Sequence, residues 1–203
     1  PSLASYHLGH DKVEMTRAFQ LACPAHVPHT EILPREGTTL TDLLERWDLP
    51  LVAKKVRSSE GLGVYLIETT EQLRQYMADH DVLYLQELLP IERDLRVVLV
   101  GSEIVAAYWR EGAGFHNNIA RGGVARLDMP IPQSALNLVR ELGARLGIDH
   151  AGFDIAMVGD HPYLLEFNRL FGQSGTADLA QKVGAAMARY LGIGRPTGVS
   201  EIC

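Results

Sequence analysis

The chain has very little cysteine. Cys23 and Cys203 are the only two among its 203 residues. Two cysteines so far apart in the sequence are too few for a disulfide framework, and they lack the short spacing of a zinc-binding pair. A reducing compartment is therefore expected, and we predict a cytoplasmic protein.

Long apolar runs and an excess of positive charge are also absent. No apolar run approaches the roughly 20 residues of a membrane-spanning helix, and no signal-peptide pattern opens the sequence. The formal net charge is -6, whereas duplex binding depends on neutralising phosphates with Lys and Arg. We therefore expect neither a membrane nor a nucleic acid as partner, although a local basic pocket for a small phosphorylated ligand is compatible with this charge.

What is present is the composition of a globular protein, with 46% hydrophobic and 22% charged residues. The hydrophobic periodicity indicates helices interspersed with strands, and most of the strands are linked as hairpins. The predicted helices are 12–22, 39–47, 70–80, 132–147 and 177–191, the predicted strands are 49–56, 64–69 and 82–89, and the predicted hairpins are 95–109 and 151–168. Hairpins join antiparallel neighbours, so the predicted fold class is α+β with antiparallel sheets rather than a doubly wound parallel sheet.

Polar residues interrupt the apolar strand LLEFN at positions 164–168. Glu166 and Asn168 are two residues apart and share a face of the strand, where burial without partners costs several kcal/mol. Asp154, on the preceding strand, joins them if the turn has an odd number of residues or if a bulge corrects the register. Two carboxylates and an amide oxygen are ligands that Mg²⁺ or Mn²⁺ prefers. The alternative is an ion pair with an arginine such as Arg169, and the hairpin alone leaves both open.

A lysine and a glycine-containing loop end the strand at 49–56. Lys54 follows three apolar residues and therefore points inward or toward the strand end. The loop from Ser58 to Gly63 can bring backbone N–H groups up to an anion. The order differs from that of a Walker A loop, in which the lysine follows the glycines. The alternative is an ordinary hairpin turn with Lys54 or Lys55 solvated, and it is favoured when this stretch is taken alone.

The stretch FHNNIARGG at 115–123 crowds amides, one histidine and one arginine ahead of paired glycines. His116, Asn118 and Arg121 are suited to contact phosphate or metal, but a stretch of this kind can also simply turn a corner. By itself this signal is weak.

Taken in order, these motifs resemble a known superfamily. An Asp-Lys pair opens the first predicted helix, and V-A-K with G-L-G-V, Q-E-L-L, D-L-R, F-H-N-N-I-A-R-G-G, G-F-D-I and L-E-F-N follow it. This order resembles the ATP-grasp superfamily and, within it, the RimK-like carboxylate-amine (glutamate) ligases, over residues 11–190. The resemblance implies two α+β lobes with mainly antiparallel sheets that clasp ATP, an N-terminal lobe over 1–84 and a C-terminal lobe over 85–203.

The resemblance also implies roles for individual residues. ATP would be bound by two lysines, the phosphate loop, the interlobe hinge, a ribose-binding aspartate and an asparagine: Lys12, Lys54, Ser58, Ser59, Glu60, Gly61, Gly63, Gln86, Glu87, Leu88, Asp94 and Asn118. Magnesium would be bound by Asp154, Glu166 and Asn168. The transferring phosphate or the substrate carboxylate would be faced by Arg96, Arg110, Arg121 and His116. Arg96 ranks first, because its spacing from Asp94 puts both side chains on one face of a strand.

The implied activity is that of an ATP-dependent ligase that requires Mg²⁺ or Mn²⁺. The γ-phosphoryl group of ATP would pass to a substrate carboxylate, and an amine would attack the resulting acyl phosphate to form an amide or peptide bond. The implied partners are an amino acid, with glutamate as the leading candidate, and a small-molecule or peptide carboxylate acceptor. Two alternatives stay open, an ATP-binding module without ligase activity and a small-molecule kinase on the same fold.

The sequence departs from the family pattern at four points. His116 stands where these ligases commonly have an arginine, RLFG follows Asn168 in place of small residues and proline, and the segment between Glu87 and Asp94 is short. Only eleven residues precede Lys12, where family members usually carry a further α/β domain. We therefore expect either the catalytic core of a longer protein or a chain that needs a partner, as a homo-oligomer or with a separate N-terminal domain.

Overall fold

The computed structural model of the chain describes residues 1–57, 63–112, 123–172 and 176–193. The helices in these residues are α1 (Leu3–Leu8), α2 (Lys12–Ala22), α3 (Leu40–Arg46), α4 (Thr70–Asp79), α5 (Gln133–Leu146) and α6 (Leu179–Tyr190). The strands are β1 (Thr30–Pro34), β2 (Leu51–Lys54), β3 (Val64–Ile67), β4 (Val82–Glu87), β5 (Arg93–Val100), β6 (Glu103–Glu111), β7 (Val124–Arg126), β8 (His150–Val158) and β9 (His161–Asn168). None of the helices in this part of the chain combines the length and the apolar character needed to cross a bilayer.

The strands form two sheets. The first sheet has the order β1-β4-β2-β3 and the second has the order β7-β6-β5-β8-β9. Every pair of neighbouring strands is antiparallel. The predicted fold class, α+β with antiparallel sheets, is therefore confirmed. The predicted lobes over 1–84 and 85–203 stay a prediction.

Apolar side chains pack each sheet against helices. Helices α3 and α4 cover the first sheet, where Leu43 and Leu73 are fully buried. Helices α2 and α5 cover one face of the second sheet, which turns Phe153 and Phe167 toward them. Helix α6 packs on the opposite face through Val183. Because side chains alternate along a strand, the strands that supply this core also present a second set of residues on the face of α6.

Local signals fix the ends of the helices that matter for the site. Asp11 caps α2, and its Oδ1 accepts a hydrogen bond of 2.8 Å from the backbone N–H of Val13. This cap puts Lys12 at the first helical position. Helix α5 ends at Gly147, which has φ +65 and the left-handed conformation that glycine adopts without strain.

Helix α1 lies outside the predicted helices. It has six residues, and its one buried side chain is that of Ser5, so it lacks the apolar periodicity on which the prediction depends. Tertiary contacts hold it instead. Asp149 Oδ1 accepts a hydrogen bond of 2.6 Å from the backbone N–H of Ser2, the residue that caps the helix.

Candidate functional site

The β8-β9 hairpin decides whether the predicted metal ligands converge. Its turn has two residues, 159 and 160, and Gly159 has φ +59. A two-residue turn alone would pair Asp154 with Leu165 and turn Glu166 to the other face of the sheet. The register shifts between Asp154 and Ile155, however, so that Leu165 is bulged and Asp154 pairs with Glu166.

The three predicted ligands therefore share one face. Asn168 Nδ2 donates to Glu166 Oε1 over 3.1 Å and to Asp154 Oδ2 over 3.3 Å. The prediction that they converge is confirmed, and of the two routes that the sequence left open, the bulge is the one used.

Two arginines also contact Asp154. Arg96 Nε lies 2.6 Å from Asp154 Oδ1, and Arg96 Nη2 donates to Oδ2 over 3.3 Å. Arg110 Nη2 lies 3.1 Å from Oδ1. All three side chains are buried. The predicted alternative, an ion pair, is thus present, but its arginines come from β5 and β6 rather than from Arg169.

Arg169, the arginine named as an example for that alternative, contacts other residues. The guanidinium of Arg169 lies over the ring of Tyr6, 4.2 Å from its centroid, and its Nη2 is 2.9 Å from His10 Nε2. Side chains alternate along β9, so Phe167 and Arg169 point to the face opposite that of Glu166 and Asn168. On that face both lie beside Gly9, which follows α1, because a Cβ on Gly9 would be 3.3 Å from Arg169 Cδ and 3.4 Å from Phe167 Cε2.

Asp94 extends the buried network by one carboxylate. Its Oδ1 is 2.6 Å from Arg110 Nε. Burial raises the pKa of Asp94, and the charge of Arg110 opposes that shift. Burial likewise opposes the charge of Arg110, but Asp154 and Asp94 raise its pKa. Arg110 therefore bridges Asp94 and Asp154, and Arg96 joins them through Asp154, so that the four side chains form one charged row across β6, β5 and β8.

The first sheet and α2 bring two lysines to this row. Lys54 is only 6% exposed, whereas Lys55 is exposed. The Nζ of Lys54 lies 5.4 Å from the centroid of the Tyr84 ring. Lys12 Nζ lies 3.6 Å from Glu166 Oε2. Strands β2 and β3 pair as antiparallel neighbours, and residues 58–62 between them lie outside the described residues. Of the two lysines, Lys54 is thus the buried one and Lys55 the exposed one.

The lysines change the protonation of their neighbours. Burial opposes ionisation of Glu166, but the charges of Lys12 and Lys54 outweigh it and hold the pKa of Glu166 below its ordinary value. Burial lowers the pKa of Lys54, and the carboxylates of Glu166 and Asp154 oppose that shift. An anion placed beside Lys54 would favour its charged form.

We call the seven charged residues of this region the polar cluster: Lys12, Lys54, Asp94, Arg96, Arg110, Asp154 and Glu166. It holds four cations and three carboxylates, so these residues carry one net positive charge in their ordinary ionisation states. A buried group of this sign is suited to an anionic ligand that brings its own counter-cation.

The remaining predicted nucleotide contacts lie at the end of β4 and beside the loop after β2. Gln86 is buried, and its Nε2 donates to Thr30 Oγ1 over 2.8 Å. The backbone N–H of Glu87 donates to the carbonyl of His29 over 2.9 Å. Leu88 follows the strand and is partly exposed, and Gly63 accepts a backbone hydrogen bond from Lys55. The other predicted site residues, Ser58, Ser59, Glu60, Gly61, His116, Asn118 and Arg121, lie outside the described residues.

Two further residues of the site carry no sequence signal that singles them out. Tyr84 lies inside the apolar strand β4, beneath Lys54, and its hydroxyl is 2.7 Å from Thr16 Oγ1 on α2. Gly152 pairs with Asn168 in the β8-β9 ladder. A tyrosine in an apolar strand looks like core, and a glycine in a strand looks like a bulge, so only the three-dimensional contacts identify them.

The donor set fits a divalent cation. Asp154 Oδ1 is buried and lacks an aligned hydrogen bond among the described residues, although two guanidinium groups contact it. No group of three His, Cys, Asp or Glu side chains in these residues is arranged for a metal, and the set on β8 and β9 combines two carboxylates with one amide. For such a cation Asn168 would have to present its amide oxygen rather than its nitrogen.

Comparison with protein families gives one match over most of the chain. Residues 11–191 match the family described as the RimK-like ATP-grasp domain. Among curated proteins, a probable alpha-L-glutamate ligase of Enterobacter sp. (strain 638) is 33% identical over 154 residues, which is 70% of this chain and 51% of that protein. A ribosomal protein bS6–L-glutamate ligase of Salmonella paratyphi B is 31% identical over 134 residues, 62% of this chain and 44% of that protein.

Solved structures share the fold at lower identity. A RimK domain ATP-grasp protein from Sphaerobacter thermophilus superimposes with a TM-score of 0.71 at 18% identity, covering 92% of this chain and 69% of the other. A D-alanine–D-alanine ligase from Bacillus anthracis gives 0.69 at 13% identity, covering 95% and 68%. The chain spans about half the length of the curated relatives it matches.

Proposed function

We propose, because the chain belongs to the RimK-like ATP-grasp family, that it carries the ATP-dependent site of a carboxylate-amine ligase. The observation that supports this most is the polar cluster, in which the two lysines of β2 and α2 meet the arginines and carboxylates of the second sheet. Phosphoryl transfer asks a protein mainly for positioning and charge neutralisation, and a buried cluster with an excess of cations supplies both.

The ligands of the metal would be Asp154, Glu166 and Asn168. Mg²⁺ or Mn²⁺, when bound, neutralises charge on the phosphate oxygens of ATP. The lowered pKa of Glu166 keeps that carboxylate ionised and able to serve as a ligand well below neutral pH. Arg110 holds Asp154 and Asp94 together, so it orients a ligand rather than contacting the substrate first.

Lys54 and Lys12 are proposed to bind the phosphates. Lys54 is buried beside Tyr84 and lies within the electrostatic reach of Glu166 and Asp154. A bound phosphate would stabilise the charged form of Lys54 and so compensate for the water contacts that its ammonium group loses on burial. Arg96 is proposed to face the transferring phosphoryl group, and the adenine-binding role of Glu87 and Leu88 and the ribose-binding role of Asp94 remain proposals of the same kind.

These placements support the following chemistry. A carboxylate oxygen of the acceptor bonds to the γ-phosphorus as the bond to ADP breaks, and the cations of the polar cluster balance the charge in transit. The amine of the amino acid then bonds to the acyl carbon, loses a proton, and expels inorganic phosphate. The names of the curated relatives support glutamate as the amino acid and, in the case of the bS6 ligase, a protein as the acceptor.

The test is ADP release from Mg²⁺-ATP with a panel of amino acids and carboxylate acceptors. We expect release to rise only when glutamate or a related amino acid is present together with an acceptor, and one amide product to form per ADP. A stable phosphorylated product without amide would identify a kinase. ATP binding without turnover in any combination would identify a binding module, and either result would overturn the proposal.

A further inference from the structure

Gly152 lies directly under the side chain of Arg96. A Cβ built on Gly152 would lie 2.6 Å from Arg96 Nη1 and 3.1 Å from Arg96 Cδ. Real Cβ atoms essentially never approach a heavy atom to 2.6 Å, so any other residue at this position would push the guanidinium away. Arg96 therefore lies flat on the backbone of β8, in space that exists because position 152 has no side chain.

The backbone at Gly152 gives no other reason for glycine. Its φ is not in the left-handed region, in contrast to Gly147 and Gly159, and it pairs regularly with Val98 and Asn168 in the two ladders of β8. Glycine in a regular strand costs stability through its conformational freedom. The space that it leaves for Arg96 offsets that cost.

Phe171 forms the second wall of this space. Its Cβ would lie 3.1 Å from a Cβ on Gly152, and its ring stacks on that of His150 with the centroids 5.0 Å apart. Phe171 belongs to the RLFG segment that follows Asn168, the stretch in which the sequence departs from the family pattern. We call Gly152 and Phe171 together the Arg96 slot.

We propose that Gly152 is a positioning residue that fixes the guanidinium of Arg96 against Asp154, and that it acts on the proposed ligation through Arg96. The slot holds Arg96 Nε 2.6 Å from Asp154 Oδ1 and places Arg96 Nη2 where it donates to Oδ2 over 3.3 Å. A long side chain held in one conformation has already lost its rotamer freedom before the substrate arrives. The effect of Gly152 on catalysis rests on the proposed function, whereas its effect on the position of Arg96 does not.

The first test measures the position of Arg96 without any ligand. In a ¹H–¹⁵N spectrum we expect exchange-protected Nε–H signals for Arg96 and Arg110, assigned through their loss in R96K and R110K. Gly152→Ala should remove the Arg96 signal from its protected position and leave the Arg110 signal in place. The matched control is Gly184→Ala on α6, where an added Cβ meets nothing within 4 Å. An Arg96 signal that is absent in the wild type, or unchanged in G152A, would overturn the inference.

The second test is a double-mutant cycle on ATP turnover. Gly152→Ala should lower kcat by on the order of 10- to 100-fold, as a misplaced catalytic group does, with a smaller change in KM for ATP. In the R96K background the added methyl has no Nη1 to displace, so G152A should cost less than about threefold. Equal costs in both backgrounds would mean that the methyl acts on the strand itself, which contradicts the proposal.

The two tests separate the inference from the proposed function. A wild-type chain without amino-acid-dependent turnover would refute the ligase, while the arginine signals still decide whether Gly152 positions Arg96. Turnover in the wild type with an unaffected G152A would refute the inference and leave the ligase standing. If G152A does not fold, Phe171→Gly removes the Cβ that forms the other wall and should likewise move the Arg96 signal but not that of Arg110.

Discussion

The two faces of the second sheet are built from the same strands, but one is apolar and packs in the core, whereas the other carries the charged residues of the candidate site. One face turns Phe153 and Phe167 into the core beneath α2 and α5, and the other turns Asp154 and Glu166 into the polar cluster. Phe153 is next to Asp154 in the sequence, and Phe167 is next to Glu166. Neighbouring residues of a strand point to opposite faces of the sheet, and this alternation alone separates the core side chains from those of the site. A site built on rigid, well-packed strands is held in place by the core behind it.

The largest expected effect comes from removing the proposed metal ligands on the polar face while keeping the apolar core on the other face. Glu166→Gln combined with Asn168→Ala should abolish Mg²⁺-supported ATP turnover and keep the fold, because both side chains lie on the polar face. Phe167→Leu, between them on the same strand, is the matched control and should keep turnover at a small cost in stability. ADP release and circular dichroism measure the two effects. Wild-type-like turnover in the double variant would refute the site assignment.

The next largest effect is on stability. Asp154→Ala leaves Arg110 with Asp94 and removes the carboxylate that Arg96 contacts. It should lower the free energy of unfolding by about 3–5 kcal/mol, as breaking a buried ion pair does. Phe153→Ala should cost a similar amount, about 3–5 kcal/mol, through a cavity. Urea unfolding with and without added sulfate distinguishes the loss of the carboxylate from the cavity.

An anion can replace the missing carboxylate but cannot fill a cavity. Sulfate should therefore restore part of the stability of the Asp154 variant and stabilise the Phe153 variant no more than it does the wild type. An equal response of both variants would mean that the charge of Asp154 is unimportant for folding.

A smaller effect is expected at Lys54. The pKa of Lys54 in the folded chain is lowered by burial, so the unfolded state binds the proton more tightly and the charge costs stability at neutral pH. That cost disappears as the pH rises from the folded pKa to above the unfolded value. Because the desolvation of Lys54 outweighs its attraction to Glu166 and Asp154, Lys54→Met should be as stable as the wild type or slightly more stable at pH 7, and its advantage should shrink toward pH 10. A variant that loses stability at pH 7 would contradict this account.

Glu166 gives a prediction of the opposite kind. Its folded pKa is lowered by Lys12 and Lys54, so its ionised form contributes stability above its unfolded pKa, and that contribution is lost as the pH falls through the folded pKa. Glu166→Gln should reduce the slope of stability against pH below about pH 5. Unfolding curves between roughly pH 3 and 6 measure the slope, and an unchanged slope would argue that Glu166 is not held ionised by the lysines.

Local patterns were enough to predict most of the fold. The helix at 12–22 and the strands around Lys54 follow from periodicity and capping, and the paired polar residues in LLEFN indicate the site. Helix α1 could not be predicted in this way, because contacts with Asp149 rather than its own apolar face hold it.

The details of the site depend on contacts that are distant in sequence. The sequence leaves the turn length and the bulge at Leu165 as alternatives, since both satisfy the same alternation. It suggests Arg169 for Asp154 because the two lie on one hairpin, whereas the actual partners, Arg96 and Arg110, come from strands more than forty residues earlier. Gly152 opens the G-F-D-I motif, but the sequence does not indicate its role, because that role is the space that it leaves for Arg96.

The central claim is that the polar face binds ATP together with a divalent cation. Isothermal titration of the chain with a non-hydrolysable ATP analogue, in Mg²⁺ and then in EDTA, tests it most directly. We expect tight binding in Mg²⁺, much weaker binding in EDTA, and loss of the Mg²⁺ effect in the Glu166→Gln, Asn168→Ala variant. Binding that is equal in Mg²⁺ and EDTA, or no binding in either, would contradict the claim.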